Sequence, residues 1–150
     1  MSKSREPALQ CADDGCSDPA FHVLAEAYRA TGGTVGGHEL ARRLEAYRDA
    51  YFMSLEKLIA ARIVFGFEWR GTLWIPMFQF DQCNLAIKQG SRLVLAELAS
   101  VFDGWALALW FVRPSLWLNS RRPLDLVDSN PLAVVQAARA ERLSMGGPAR

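Results

Sequence analysis

Apolar residues along the chain recur first at helical and then at strand spacing, and the change of period divides it. Between residues 18 and 30, Phe21, Leu24, Ala25 and Tyr28 share one helix face while Glu26 and Arg29 fall off it. Asp18-Pro19 supplies an N-cap carboxylate and a first-turn proline, and Gly32-Gly33 stops the helix. After a second break at Gly36-Gly37, an amphipathic segment runs from His38 to about Tyr51. Leu40, Leu44 and Tyr47 or Tyr51 lie on one side, away from Arg42, Arg43, Glu45 and Asp49. Ser54 is placed to cap a short helix carrying Leu55, Leu58 and Ile59.

The pattern then turns β-like. Ile63-Val64-Phe65-Gly66-Phe67-Glu68-Trp69 and Thr72-Leu73-Trp74-Ile75-Pro76 are rich in β-branched and aromatic residues, with Arg70-Gly71 between them, which predicts a tight hairpin. Pro76 has no N–H to give to a ladder and belongs at a strand end or edge. Helical periodicity returns afterwards. Ser91 is read as the cap of a helix holding Leu93, Leu95, Leu98 and Val101, and Asp103 as the cap of Trp105 to Val112. That second segment is apolar all round, which predicts a central place in the core, and Pro114 ends it. Asn130-Pro131 opens a last helix showing Leu132, Val135, Ala138 and Leu143 against Arg139, Glu141 and Arg142.

The expected fold is mainly α: a small helical domain with one β-hairpin near residues 63–76. Residues 1–17, rich in Asp, Ser, Pro and Gly, read as a flexible tail, and residues 145–150 as a second one. Residues 18–62 form an N-terminal helical region, with a degenerate helix-turn-helix as one reading of it, and residues 63–144 a second unit. At 150 residues the chain is long enough to bury a real core, and 51% hydrophobic against 22% charged residues excludes a wholly disordered protein.

Net charge is +1, so no bulk basic footprint for nucleic acid exists. From His38 to Gly90, seven Lys and Arg face six Asp and Glu. That near-neutral balance argues against DNA binding. The longest apolar run, Trp105 to Val112, is too short for a membrane span. The N-terminus has no apolar signal region, and three cysteines do not make a disulfide framework, so a reduced, cytoplasmic setting is expected.

The densest chemistry lies between the last two apolar helices, in Trp117-Leu118-Asn119-Ser120-Arg121-Arg122-Pro123-Leu124-Asp125-Leu126. Two arginines, a proline and a carboxylate in so short a connection predict a fixed shape. On one reading Asp125 satisfies backbone donors at the start of a single helical turn, with an arginine pairing nearby. On the other, the arginines form an edge that grips a partner's carboxylates bidentately. Of five tryptophans, Trp105 and Trp110 are expected in the core, and Trp74 and Trp117 are candidate interface anchors. Cys11, Cys16, His22 and His38 carry the residue types of a zinc site, but their spacing is read as coincidence. No phosphate loop, dinucleotide fingerprint, nucleophile elbow or metalloprotease pair is present, so neither an enzyme nor a cofactor is expected.

Four pieces in this order resemble one family: Ile75-Pro76-Met77-Phe78-Gln79-Phe80-Asp81, Trp105-Ala106-Leu107-Ala108-Leu109-Trp110-Phe111, Arg121-Arg122-Pro123-Leu124-Asp125-Leu126, and Ala133-Val134-Val135-Gln136-Ala137-Ala138. Together, from about Ile63 to Arg142, they look like the toxin-binding domain of the Xre/MbcA/ParS-like antitoxins. The resemblance implies a homodimeric antitoxin that binds and blocks a RES-domain, NAD-consuming toxin. It places Trp117, Arg121, Arg122, Pro123, Leu124 and Asp125 at the partner surface. It also implies an N-terminal helix-turn-helix acting on DNA. Ser120 stands where that family usually has glycine just before the two arginines. The alternative expectation is a DNA-associated transcriptional regulator whose C-terminal domain dimerises the chain.

Overall fold

The computed structural model describes residues 18–46 and 54–146. Seven α-helices and a small three-stranded antiparallel sheet are found among them, which is the mainly α class expected. None of the described helices is long and apolar enough to cross a membrane.

Helix α1 (Asp18–Tyr28) ends in a 3-10 turn at Arg29–Thr31, and Gly32 takes the left-handed backbone (φ 108°) that closes it. Strand β1 (Thr34–Gly36) and helix α2 (Gly37–Glu45) follow. The helix expected to reach about Tyr51 ends at Glu45, with Ala46 as its C-cap; residues 47–53 lie outside the described residues, as do Cys11 and Cys16. Ser54 caps α3 (Leu55–Ala60) by accepting from the Lys57 N–H at 3.3 Å.

Strands β2 (Phe67–Trp69) and β3 (Thr72–Pro76) make the expected hairpin. Arg70 and Gly71 both have positive φ, 54° and 77°, the geometry that matches the twist of the flanking strands. Phe67 pairs with Trp74 and Trp69 with Thr72, and Pro76 sits at the end of β3. The sheet holds one strand more than expected. Thr34–Gly36 pairs antiparallel with β3, which makes β3 the central strand of three. A three-residue strand flanked by glycine pairs leaves no alternating apolar trace to read.

Helix α4 (Gln89–Leu98) begins two residues before the expected cap. Ser91 is inside it, buried, and its hydroxyl donates to the Lys88 carbonyl. Helix α5 (Gly104–Val112) is capped by Asp103, whose carboxylate accepts from the Ala106 N–H at 2.9 Å. A 3-10 turn (Leu116–Leu118) and a single helical turn, α6 (Pro123–Leu126), lead to α7 (Pro131–Gly146). Met145 and Gly146 therefore belong to a helix and not to a tail. The buried face of α7 is Val134, Val135, Ala137 and Ala138, whereas Leu132 and Leu143 are exposed. Leu93 of α4 is also exposed. These three leucines belong to the apolar period but lie off the packed faces, which are Val94, Leu95 and Leu98 in α4 and Val134, Val135, Ala137 and Ala138 in α7.

Two apolar clusters result. The larger joins α1, the hairpin and α4 to α7 around Tyr28, Phe65, Phe78 and Phe111, with Phe65 stacked on Phe111 at 5.8 Å between ring centres. Buried Tyr28 donates its hydroxyl to the Ala108 carbonyl at 2.7 Å and so ties α1 to α5. The smaller cluster holds Leu40, Leu44, Leu55, Leu58, Ile75 and Phe80. Packing runs across residue 62, because Phe21, Leu24 and Tyr28 share the larger cluster with the C-terminal helices. Buried Gln79 fastens the chain ahead of the hairpin. Its carbonyl accepts from the Phe65 N–H at 2.9 Å, and its amide donates to the carbonyls of Phe65 at 2.9 Å and Pro76 at 3.0 Å.

Candidate partner-binding surface

Helix α5 leaves the core at Val112, and Arg113 takes extended backbone ahead of Pro114. Ser115 organises the turn that follows. Its hydroxyl accepts from the Trp117 N–H at 3.1 Å, and its carbonyl accepts from the N–H groups of Leu118 and Ser120 at 3.0 and 2.8 Å. Its own N–H donates to the Arg121 carbonyl at 3.0 Å, closing the loop on itself. Asn119 and Ser120 are both left-handed, with φ 57° and 66°. Asparagine adopts that conformation readily, whereas serine adopts it less so. The position where the resembling family has glycine is thus one at which this backbone favours glycine.

Arg122 occupies the N-cap position of α6 without a side-chain capping bond, and Pro123 fills its first position. The guanidinium of Arg122 donates to both carboxylate oxygens of Asp125, at 2.9 and 2.7 Å. This two-pronged bond holds the Asp125 carboxyl below its usual range and raises the guanidinium. Pro123 and Leu124 are buried. Of the six residues placed at the surface from sequence, two therefore pack inward and two bond each other. Trp117 and Arg121 are left facing solvent, Trp117 with 51% exposure.

Beside this loop runs a groove of about 470 Å3 between α5, the loop and the end of α7. Ala106, Leu109 and Trp110 of α5 line it, with Leu116, Trp117, Glu141 and Met145 on its sides. Leu116 is 90% exposed. The Trp117 indole N–H donates to Glu141 at 3.4 Å, bracing the rim against α7. Arg113 also lines the groove and makes no ion pair among the described residues. Leu116, Arg113, Glu141 and Met145 were not singled out from sequence. The available signal was Pro114-Ser115-Leu116-Trp117, two large apolar residues directly after a helix-ending proline.

The other tryptophans face differently. Trp110 is buried, whereas Trp105 is only half-buried at the hairpin, its indole N–H donating to the Glu68 carbonyl at 2.6 Å. Trp74, the other candidate anchor, is half-buried against Phe21, and its ring nitrogen is buried without a hydrogen-bond partner among the described residues. A second groove, of about 500 Å3, lies between α2, α3 and the hairpin. It includes His38, but its Ser54 is committed to capping α3. In α2, both Arg42 and Arg43 pair with Glu39, so this helix offers no unopposed basic stripe. Comparisons with protein-family models, curated proteins and solved structures found no match to this chain.

Proposed function

We propose that this chain is a non-enzymatic, antitoxin-like binding protein that docks on a RES-domain toxin and blocks it sterically. The observation that carries this reading is the uncovered side of α5. A helix that is apolar all round belongs inside a protein, yet the Ala106–Leu109 side of α5 lines an open groove. Next to it a rigid loop projects Leu116, Trp117 and Arg121. Exposed contiguous apolar surface with a polar rim marks a protein-binding site, and tryptophan and arginine are its usual energetic anchors. The toxin class comes from the four sequence pieces that resemble the antitoxin domain, and the resemblance carries a homodimer with it.

Co-expression with a RES-domain toxin encoded beside this chain tests the reading. The native chain restores growth and co-purifies with the toxin. The double variant Trp117→Ala, Arg121→Glu does neither while keeping its thermal midpoint. Arg122 is left intact because it is bonded to Asp125, so its loss would alter the turn as well as the exposed surface. A native chain that never rescues growth sinks the toxin assignment, and sedimentation velocity decides the dimer.

A further inference from the structure

The groove on α5 has an apolar floor and a rim of uneven charge. Two of the nearby carboxylates are already paired with arginine. Asp125 is held by Arg122 and Glu97 accepts from both Arg139 and Arg142, whereas Glu141, on the α7 side, accepts from the neutral Trp117 indole and keeps its charge. Arg113, on the rim, has no anionic partner among the described residues. Arg121, whose backbone bridges to Ser115, is exposed on the same loop. An apolar channel edged by an unmatched guanidinium is complementary to large apolar side chains accompanied by a carboxylate.

We propose that this groove takes a short segment of a partner protein, with one or two large apolar side chains on Ala106, Leu109 and Trp110 and an aspartate or glutamate on Arg113. The inference rests on the partner-binding part of the function above and not on the identity of the toxin. A volume of about 470 Å3 accommodates anchoring side chains rather than a folded surface. A second copy of this chain is a poor occupant. Its most exposed apolar side chain beside the groove, Leu116, lies three residues from Arg113. A two-fold arrangement inserting Leu116 into the partner groove brings arginine towards arginine.

Selection of a phage-displayed dodecapeptide library on the intact chain tests the assignment without any toxin. The expected consensus pairs tryptophan, phenylalanine or leucine with a nearby aspartate or glutamate. A synthetic peptide of that consensus, measured by fluorescence anisotropy, binds about tenfold more weakly to Arg113→Glu, a loss of about 1.4 kcal/mol. A peptide with lysine in place of the carboxylate recovers binding to Arg113→Glu, which a merely structural role for Arg113 does not produce. Three results overturn the proposal: no acidic-apolar enrichment, unchanged binding to Arg113→Glu in a variant that melts like the native chain, or self-association abolished by Leu116→Asp. If the peptides behave as expected while toxin rescue fails, only the toxin assignment falls.

Discussion

The hairpin and the arginine loop are both rich in large side chains, yet one is closed and the other open. At the hairpin, Phe21 of α1 stacks on Trp69 at 3.9 Å, Phe67 meets Trp105 at 4.9 Å, and Arg70 lies over the Trp69 ring. The aromatic residues there are used up by one another and by α1 and α5. At the loop, Leu118, Pro123 and Leu124 anchor inward and the backbone bonds to itself, while Leu116 and Trp117 are left in solvent. Aromatic content alone does not mark a binding surface. On the proposed reading, the mark of one is apolar surface held out by a scaffold that gains nothing from exposing it.

Substitutions should separate the closed region from the open one, and the largest effect belongs to the closed one. A Cβ on Gly104 would sit 2.0 Å from the Gly66 carbonyl oxygen, which is backbone and cannot swing aside. Gly104→Ala is expected to cost about 3 kcal/mol or more in urea unfolding, because α5 must back away from the hairpin. Gln79→Leu comes next. It strands the Phe65 N–H and two buried carbonyls, for a loss of about 2–3 kcal/mol by the same measurement.

At the open region the stability effects shrink. Asp125→Asn breaks the two-pronged bond to Arg122, but both side chains are partly solvated, so the loss stays below about 1 kcal/mol. Its pH dependence has a definite sign. The Asp125 carboxyl is depressed in the folded state, so its stabilisation is present above the ordinary aspartate value of about 3.9 and fades as pH falls through the lowered value. Acid titration of the native chain should show this extra loss, and Asp125→Asn should lack it. Trp117→Ala is the smallest perturbation of the fold, within about 0.5 kcal/mol, although it should abolish partner binding. A large drop in its melting temperature would show that the loop is a second closed region and end the contrast.

Much of this architecture was legible in the chain. Local signals carried it: Asp103, Ser54 and Asn130-Pro131 at helix starts, Gly32 at a stop, and Arg70-Gly71 between β-rich runs. Each depends only on a few neighbouring residues, and so does the shape of the Arg122–Asp125 turn. Strand β1, the inward turn of Pro123 and Leu124, and the exposure of Leu93, Leu132 and Leu143 were not legible. They depend on which surfaces meet across the fold. The sequence by itself determined most helix starts and the hairpin turn, because caps, turns and hydrophobic period act over one or two turns of chain. Only the tertiary structure decided that, among the described residues, one side of an all-apolar α5 stays uncovered and Arg113 stands beside it without an ion pair. Burial is shared between distant segments, and no local pattern records which face finds no partner.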